Sequence, residues 1–317
     1  MQRLEVISRF ILALAATLLL FMSGIGLPPL GVILMPFVPQ PVLTFGIKFG
    51  IGWGVGVVIA AIVFVGLVAG VELALVYAIF ALIAGLVMGL LGRVRAIEFL
   101  VFGVAIAVFT ATAALLFYSF GSWSAMFEEL RQGLTHQLAS AVRLHEKMGL
   151  PQDSLDLLKE RTPQIIEMMV QLIPALLFLS LALVALINIL FLCRRFPQRR
   201  GQWLSVDNLR EWKGPEFLVW GLILCGFALF IPGLEFVRTV SVNILIIIGA
   251  CYFAQGLAII GYFFHKNNVP RFLRGVTYVL IIFQQIFTLL VVGLGLFDLW
   301  ADFRRLRKNN LTPSQAS

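Results

Sequence analysis

Apolar runs of bilayer-crossing length, separated by short basic loops, constrain this 317-residue chain more than any other feature. Hydrocarbon offers no hydrogen bonds, so a spanning backbone must satisfy itself as a helix of about 20 residues or as a closed barrel. Barrel strands would alternate over about 10 residues, and these runs do not. Hydrophobic residues make up 60% of the chain, charged residues 13%, and the mean hydropathy is +0.98. The fold class is therefore all-α: a polytopic transmembrane helical bundle of about eight to nine spans.

Arg3 and Arg9 precede an apolar stretch, Phe10 to Met22, that lacks a small-x-small cleavage site and reads as an uncleaved first helix. The second run, Leu30 to Ile47, contains Pro36, Pro39 and Pro41. Each proline removes a donor and crowds the preceding turn, so this segment is expected to be kinked, or broken and partly re-entrant. Three spans follow, at about 49–68, 73–91 and 96–120. The polar stretch 121–162 carries Met126, Leu130, Leu134, Leu138 and Val142 at intervals of four, an amphipathic helix expected to stop at Gly149 and Pro151. A short helix is expected at 154–161. Thr162 then caps a sixth span with Pro163 at its first position, extending to Cys193. The last runs are placed at 217–231, 240–264 and 272–300.

Four divisions result: a glycine-rich six-span bundle over 1–194, a basic cytoplasmic loop over 195–214, a three-span region over 215–301, and a basic polar tail over 302–317. Arg9, Lys48, Arg93, Arg95 and the six bases between Arg194 and Lys213 fall on one side, whereas 121–162 holds six acids and five bases. The positive-inside rule puts the N-terminus in the cytoplasm and the 121–162 segment outside. Nine crossings would leave the basic tail outside, so one run is expected to be re-entrant or not to cross.

The net charge of +8 is explained by topology and anionic headgroups rather than nucleic acid. Cys193, Cys225 and Cys251 form no CxxC pair, and His136, His145 and His265 form no HExxH motif. No catalytic residue, metal or cofactor is expected. Half of the 28 glycines lie within the first 103 residues. Gly46, Gly50 and Gly54, Gly66 with Gly70, and Gly85 with Gly89 repeat at intervals of four, as in close helix packing. Trp203 and Trp212 fit the interfacial aromatic belt. Polar residues near or inside spans are the candidate substrate contacts: Glu72, Glu98, Gln284 and Gln285. For the glutamates, interfacial anchoring is the competing account; for the glutamines, it is interhelical hydrogen bonding.

The segment Asn268–Leu306 resembles the end of the YybS-like family of bacterial membrane proteins. The matching points are Pro270, Arg271, Gly295, Asp298, Trp300, Asp302, Phe303 and Arg304. Gln284 and Gln285 stand where that family often carries a proline. The family is distantly similar to the substrate-binding S components of energy-coupling-factor vitamin transporters, over the first six spans. That resemblance implies a bundle able to capture a small solute from the outer face. The expected function is non-enzymatic small-solute binding or transport, with the bilayer, a solute and another membrane protein as partners. A structural or assembly partner of the cell envelope is the alternative.

Overall fold

The computed structural model describes residues 2–147, 152–204 and 209–304. Two compact units divide the chain, one ending at Leu204 and the other beginning at Ser205. Among the described residues, seven helices are long and apolar enough to cross a membrane, or eight if one sharply bent pair counts as a span. The all-α polytopic bundle holds.

Unit 1 begins with α1 (Gln2–Gly26). The proline-rich segment breaks as its residues require, into α2 (Pro28–Leu34), a 3-10 turn at Met35–Phe37, and α3 (Pro39–Phe49). α4 (Ile51–Ala69) and α5 (Val71–Leu90) follow with only one residue between successive helices. Those residues are Gly50, at φ 113° and ψ 147°, and Gly70, at φ 94° and ψ 164°. That backbone region is essentially restricted to glycine. Two glycines expected on a packing face are thus hairpin corners. Gly46 and Gly54 do pack closely: a Cβ on Gly54 would lie 3.1 Å from the Gly46 Cα. Gly85 and Gly89 have open space instead of a packed neighbour.

Side chains from neighbouring helices hydrogen-bond to main-chain carbonyls at the break. The Thr17 hydroxyl on α1 donates to the Val38 carbonyl at 2.8 Å. Its one proton is then committed, so the Tyr77 hydroxyl, 3.2 Å away on α5, is the donor to Thr17. Asn188 donates to the Pro36 carbonyl at 2.8 Å and is itself fully buried. Irregular backbone is tolerated within a bundle under this condition. Phe21, Val38, Ala61, Val65, Ala74, Tyr77 and Ala81 pack around the junction.

α6 (Ile97–Phe120) leads to α7 (Trp123–Lys147). The expected stripe is present: Met126 is buried, and Leu130, Leu134, Leu138 and Val142 are half-buried while most of their neighbours are exposed. The stop at Gly149 and Pro151 lies outside the described residues. From Gln152 to Arg195 one 44-residue helix, α8, runs through Pro163 and Pro174. Thr162 is therefore not a cap, and the separate helix expected at 154–161 is merged into α8. Proline disrupts the ladder locally, but here the helix continues past it. α8 is about 66 Å long at 1.5 Å per residue, so its N-terminal part extends beyond a hydrocarbon core of about 30 Å. There it pairs with α7: Arg131 reaches Glu167 at 3.0 Å and Glu128 at 2.8 Å. Hydrogen bonds donated to Glu167 and then to Glu128 hold the Arg131 guanidinium more firmly protonated than usual.

The basic loop folds back onto unit 1 through the short α9 (Arg200–Trp203). Arg95 donates to the Gly201 carbonyl at 2.8 Å. Trp203 is only 8% exposed and meets the Phe196 ring edge-on at 6.0 Å. This tryptophan fills a protein contact rather than the headgroup layer, because the loop is pinned against the helix ends.

Unit 2 contains α10 (Leu218–Ala228), α11 (Glu235–Lys266), α12 (Arg271–Phe283) and α13 (Gln285–Ala301). α10 is about 16 Å long, short of a full crossing. The final apolar run, expected as a single span, is bent by 102° between α12 and α13. Gln284 forms the corner in extended conformation, and the Thr288 hydroxyl donates to the Ile281 carbonyl at 2.6 Å. These two departures lower the count from nine simple crossings. α11 and α13 approach at backbone contact, where a Cβ on Gly256 would collide with the Val291 carbonyl and one on Gly295 with the Tyr252 carbonyl.

Candidate functional site

The break that shapes the second segment also opens a cavity in unit 1, about 410 Å³ in volume, between α1, α3 and the end of α8. This is within the usual range for small-molecule sites, about 300–1,000 Å³. Three cations border it, one from each helix: Arg9, Lys48 and Arg195. No carboxylate is among its lining residues. Its deeper walls are apolar, with Leu20, Phe37, Phe45 and Phe191 contributing. Two neutral polar residues on α3, Gln40 and Thr44, interrupt them.

Gln40 is 8% exposed, and its Nε2 reaches the Thr44 hydroxyl at 3.4 Å. Its amide oxygen is buried with no hydrogen-bond partner. Such a group costs about 1–3 kcal/mol unless something donates to it. Lys48 lies 5.0 Å from the Phe49 ring centroid, which draws the ammonium along the rim. A binding region with a basic mouth, apolar walls and one unanswered acceptor is what this arrangement supplies. A smaller crevice of about 220 Å³ lies between Gly46, Met88 and Trp203. Arg199 borders it and donates to the Ile47 carbonyl at 3.4 Å.

The expected substrate residues fall elsewhere. Glu72 is exposed in the first turn of α5, and Glu98 is half-buried in the first turn of α6. They stand on different helices and share no wall of the cavities described above. Gln284 and Gln285 are exposed at the α12–α13 corner in unit 2, where they mark the bend. None of the four lines either of the cavities described above.

Unit 2 carries its own polar cluster. Asp298 is fully buried on α13 and accepts from Arg304 at 2.8 Å, from Gln255 at 3.2 Å and from the Phe303 amide at 3.0 Å. Gln255 Oε1 accepts from the Gly214 amide at 3.1 Å. Arg304 also donates to the carbonyls of Arg210 and Trp212, at 2.7 and 3.0 Å. Lys213 meets Asp302 at 2.6 Å, with Asp302 held at a positive φ of 39°. Nearly every strong donor and acceptor here is answered within the protein, so the cluster ties the end of α13 to the segment preceding α10. Among the described residues, no group of three His, Cys, Asp or Glu side chains could hold a metal ion.

A family model described as predicted membrane protein (DUF2232) matches residues 15–299. The chain belongs to that family. Neither a curated protein nor a solved structure matches it. The DUF2232 match includes Gln40, Thr44, Lys48 and Arg195 of the cavity, and Gln255 and Asp298 of the polar cluster; Arg9 precedes it and Arg304 follows it. Sequence reasoning passed over the cavity because its cations read as ordinary anchors and Gln40 sits in a proline-rich segment. Gln40 carried the available signal, as a lone amide inside an apolar run.

Proposed function

We propose that this integral membrane protein binds a small solute in the cavity beside its broken second segment, as a non-enzymatic, transport-type protein. The observation that carries this reading is the cavity itself, with the buried, unpartnered Gln40 oxygen on its wall. Thr17 and Asn188 hold the break through the Val38 and Pro36 carbonyls, while Gln40 and Thr44 of α3 line the cavity. Broken helices beside a site recur in membrane transport proteins.

With the N-terminus in the cytoplasm of a bacterial inner membrane, the basic mouth opens inward. The α7–α8 hairpin then stands outside. Similarity to transporter S components fits a six-span unit of this kind, with the cavity in an inward-open state. The test is purification in a neutral maltoside detergent, followed by native mass spectrometry and thermal-shift measurement across a metabolite panel. A co-purified molecule, or a stabilisation lost in Gln40→Met, is expected. No bound molecule and no shift with any compound overturns the reading.

A further inference from the structure

Arg9, Lys48 and Arg195 come from three different helices and converge on one opening whose lining holds no acid. Three like charges at one mouth repel one another unless an anion joins them. Surface anchoring alone accounts for cations that spread toward headgroups, but it leaves Gln40 unexplained. That side chain lies eight residues before Lys48 on α3, about 12 Å deeper along the helix, with Thr44 halfway between. Its buried oxygen has no donor within the protein, and the walls around it are mainly aromatic and aliphatic.

We infer that the ligand is an amphiphilic anion: an acidic group at the Arg9–Lys48–Arg195 mouth, a hydroxyl or amide donor toward Gln40, and an apolar body against Phe37, Phe45 and Phe191. This inference rests on the solute-binding reading and adds the chemical class. An acidic lipid and a soluble acyl acid share this chemistry, and they differ in whether the ligand comes from the bilayer or from water.

The experiment uses the full chain in maltoside and titration calorimetry with five probes. Dihexanoyl phosphatidylglycerol is paired with dihexanoyl phosphatidylcholine, which has the same tails but no net charge and no hydroxyl. N-octanoylglycine is paired with its methyl ester, which lacks the charge, and inorganic phosphate is used alone. Each acid is expected to bind at least tenfold more tightly than its uncharged partner. Lys48→Gln with Arg195→Gln should weaken the acids at least tenfold. Gln40→Met should weaken them several-fold without lowering the melting temperature of the unliganded protein, since it removes an unanswered polar group. That last readout separates a ligand contact from a structural role.

A preference for the phosphatidylglycerol assigns the bilayer as the source, and a preference for the acylglycine assigns a soluble acid. Phosphate binding as tightly as either amphiphile overturns the apolar part of the inference. Uncharged partners binding as well as the acids overturn the anionic part, while solute binding itself survives. Failure of every probe, while the metabolite panel still yields a bound molecule, overturns only the ligand class. Failure of both overturns both readings.

Discussion

The Arg304 guanidinium donates to the Asp298 carboxylate across 2.8 Å, and neither side chain is exposed. Removing one member strands the other charge, at a cost of about 3–5 kcal/mol. Asp298→Ala and Arg304→Ala are each expected to lower unit 2 stability by that order. The double replacement should cost clearly less than the sum of the two. Denaturant titration in mixed micelles gives the three values, and strictly additive losses would count against direct pairing.

Close contact between α11 and α13 depends on two absent side chains. Gly256→Ala and Gly295→Ala each push a methyl group against a carbonyl of the facing helix and should destabilise by about 1–3 kcal/mol or more. Gly293→Ala, two residues from Gly295 and facing open space, is the matched control and should be near neutral. Melting temperatures in detergent separate the three.

At Gly70 the constraint is backbone conformation, since nothing lies within 4 Å of the space a Cβ would take. Gly70→Ala should cost about 1–3 kcal/mol through strain alone. Gly103→Ala, in a helix with equal space, should be neutral or stabilise by up to about 1 kcal/mol. Equal effects at the two positions would argue that Gly70 is not a conformational corner.

Thr17 serves the broken segment with one hydroxyl. Thr17→Val keeps its shape but removes the donor to the Val38 carbonyl and leaves the Tyr77 hydroxyl unanswered, for an expected loss of about 1–3 kcal/mol. Thr17→Ser should restore most of it. A serine variant as weak as the valine variant would point to packing rather than hydrogen bonding.

Orientation can be read by labelling single cysteines after the three native ones are replaced. Ser8→Cys and Arg194→Cys should react with a membrane-impermeant maleimide in inverted vesicles, and Ser140→Cys only in right-side-out ones. Reaction of Ser8→Cys and Ser140→Cys in the same vesicles would break the proposed topology.

Much of the architecture is legible from local chemistry. Three prolines between positions 36 and 41 break a helix wherever they occur, and the four-residue spacing from Met126 to Val142 makes one apolar stripe on any helix. The last run was harder, because Gln284 and Gln285 suit a straight helix as well as a corner. Pro163, by contrast, suits a helix start as well as the interior of α8. For the site, Glu72 and Glu98 stood out as charges beside lipid, yet they occupy helix ends. Gln40, less conspicuous in the chain, lines the cavity.

The sequence by itself determined the solvent, the helical class and the positions where helices must break, because hydrocarbon enforces backbone hydrogen bonding locally. Only the tertiary structure decided which helices meet. It joined Asn188 to Pro36 over 152 residues, and brought Arg9, Lys48 and Arg195 to one mouth. It also made Asp298 a buried partner of Arg304 and Gln255. The physical reason is that periodicity reports which face of a helix avoids lipid or water, whereas a cavity or an ion pair depends on which other helix covers that face.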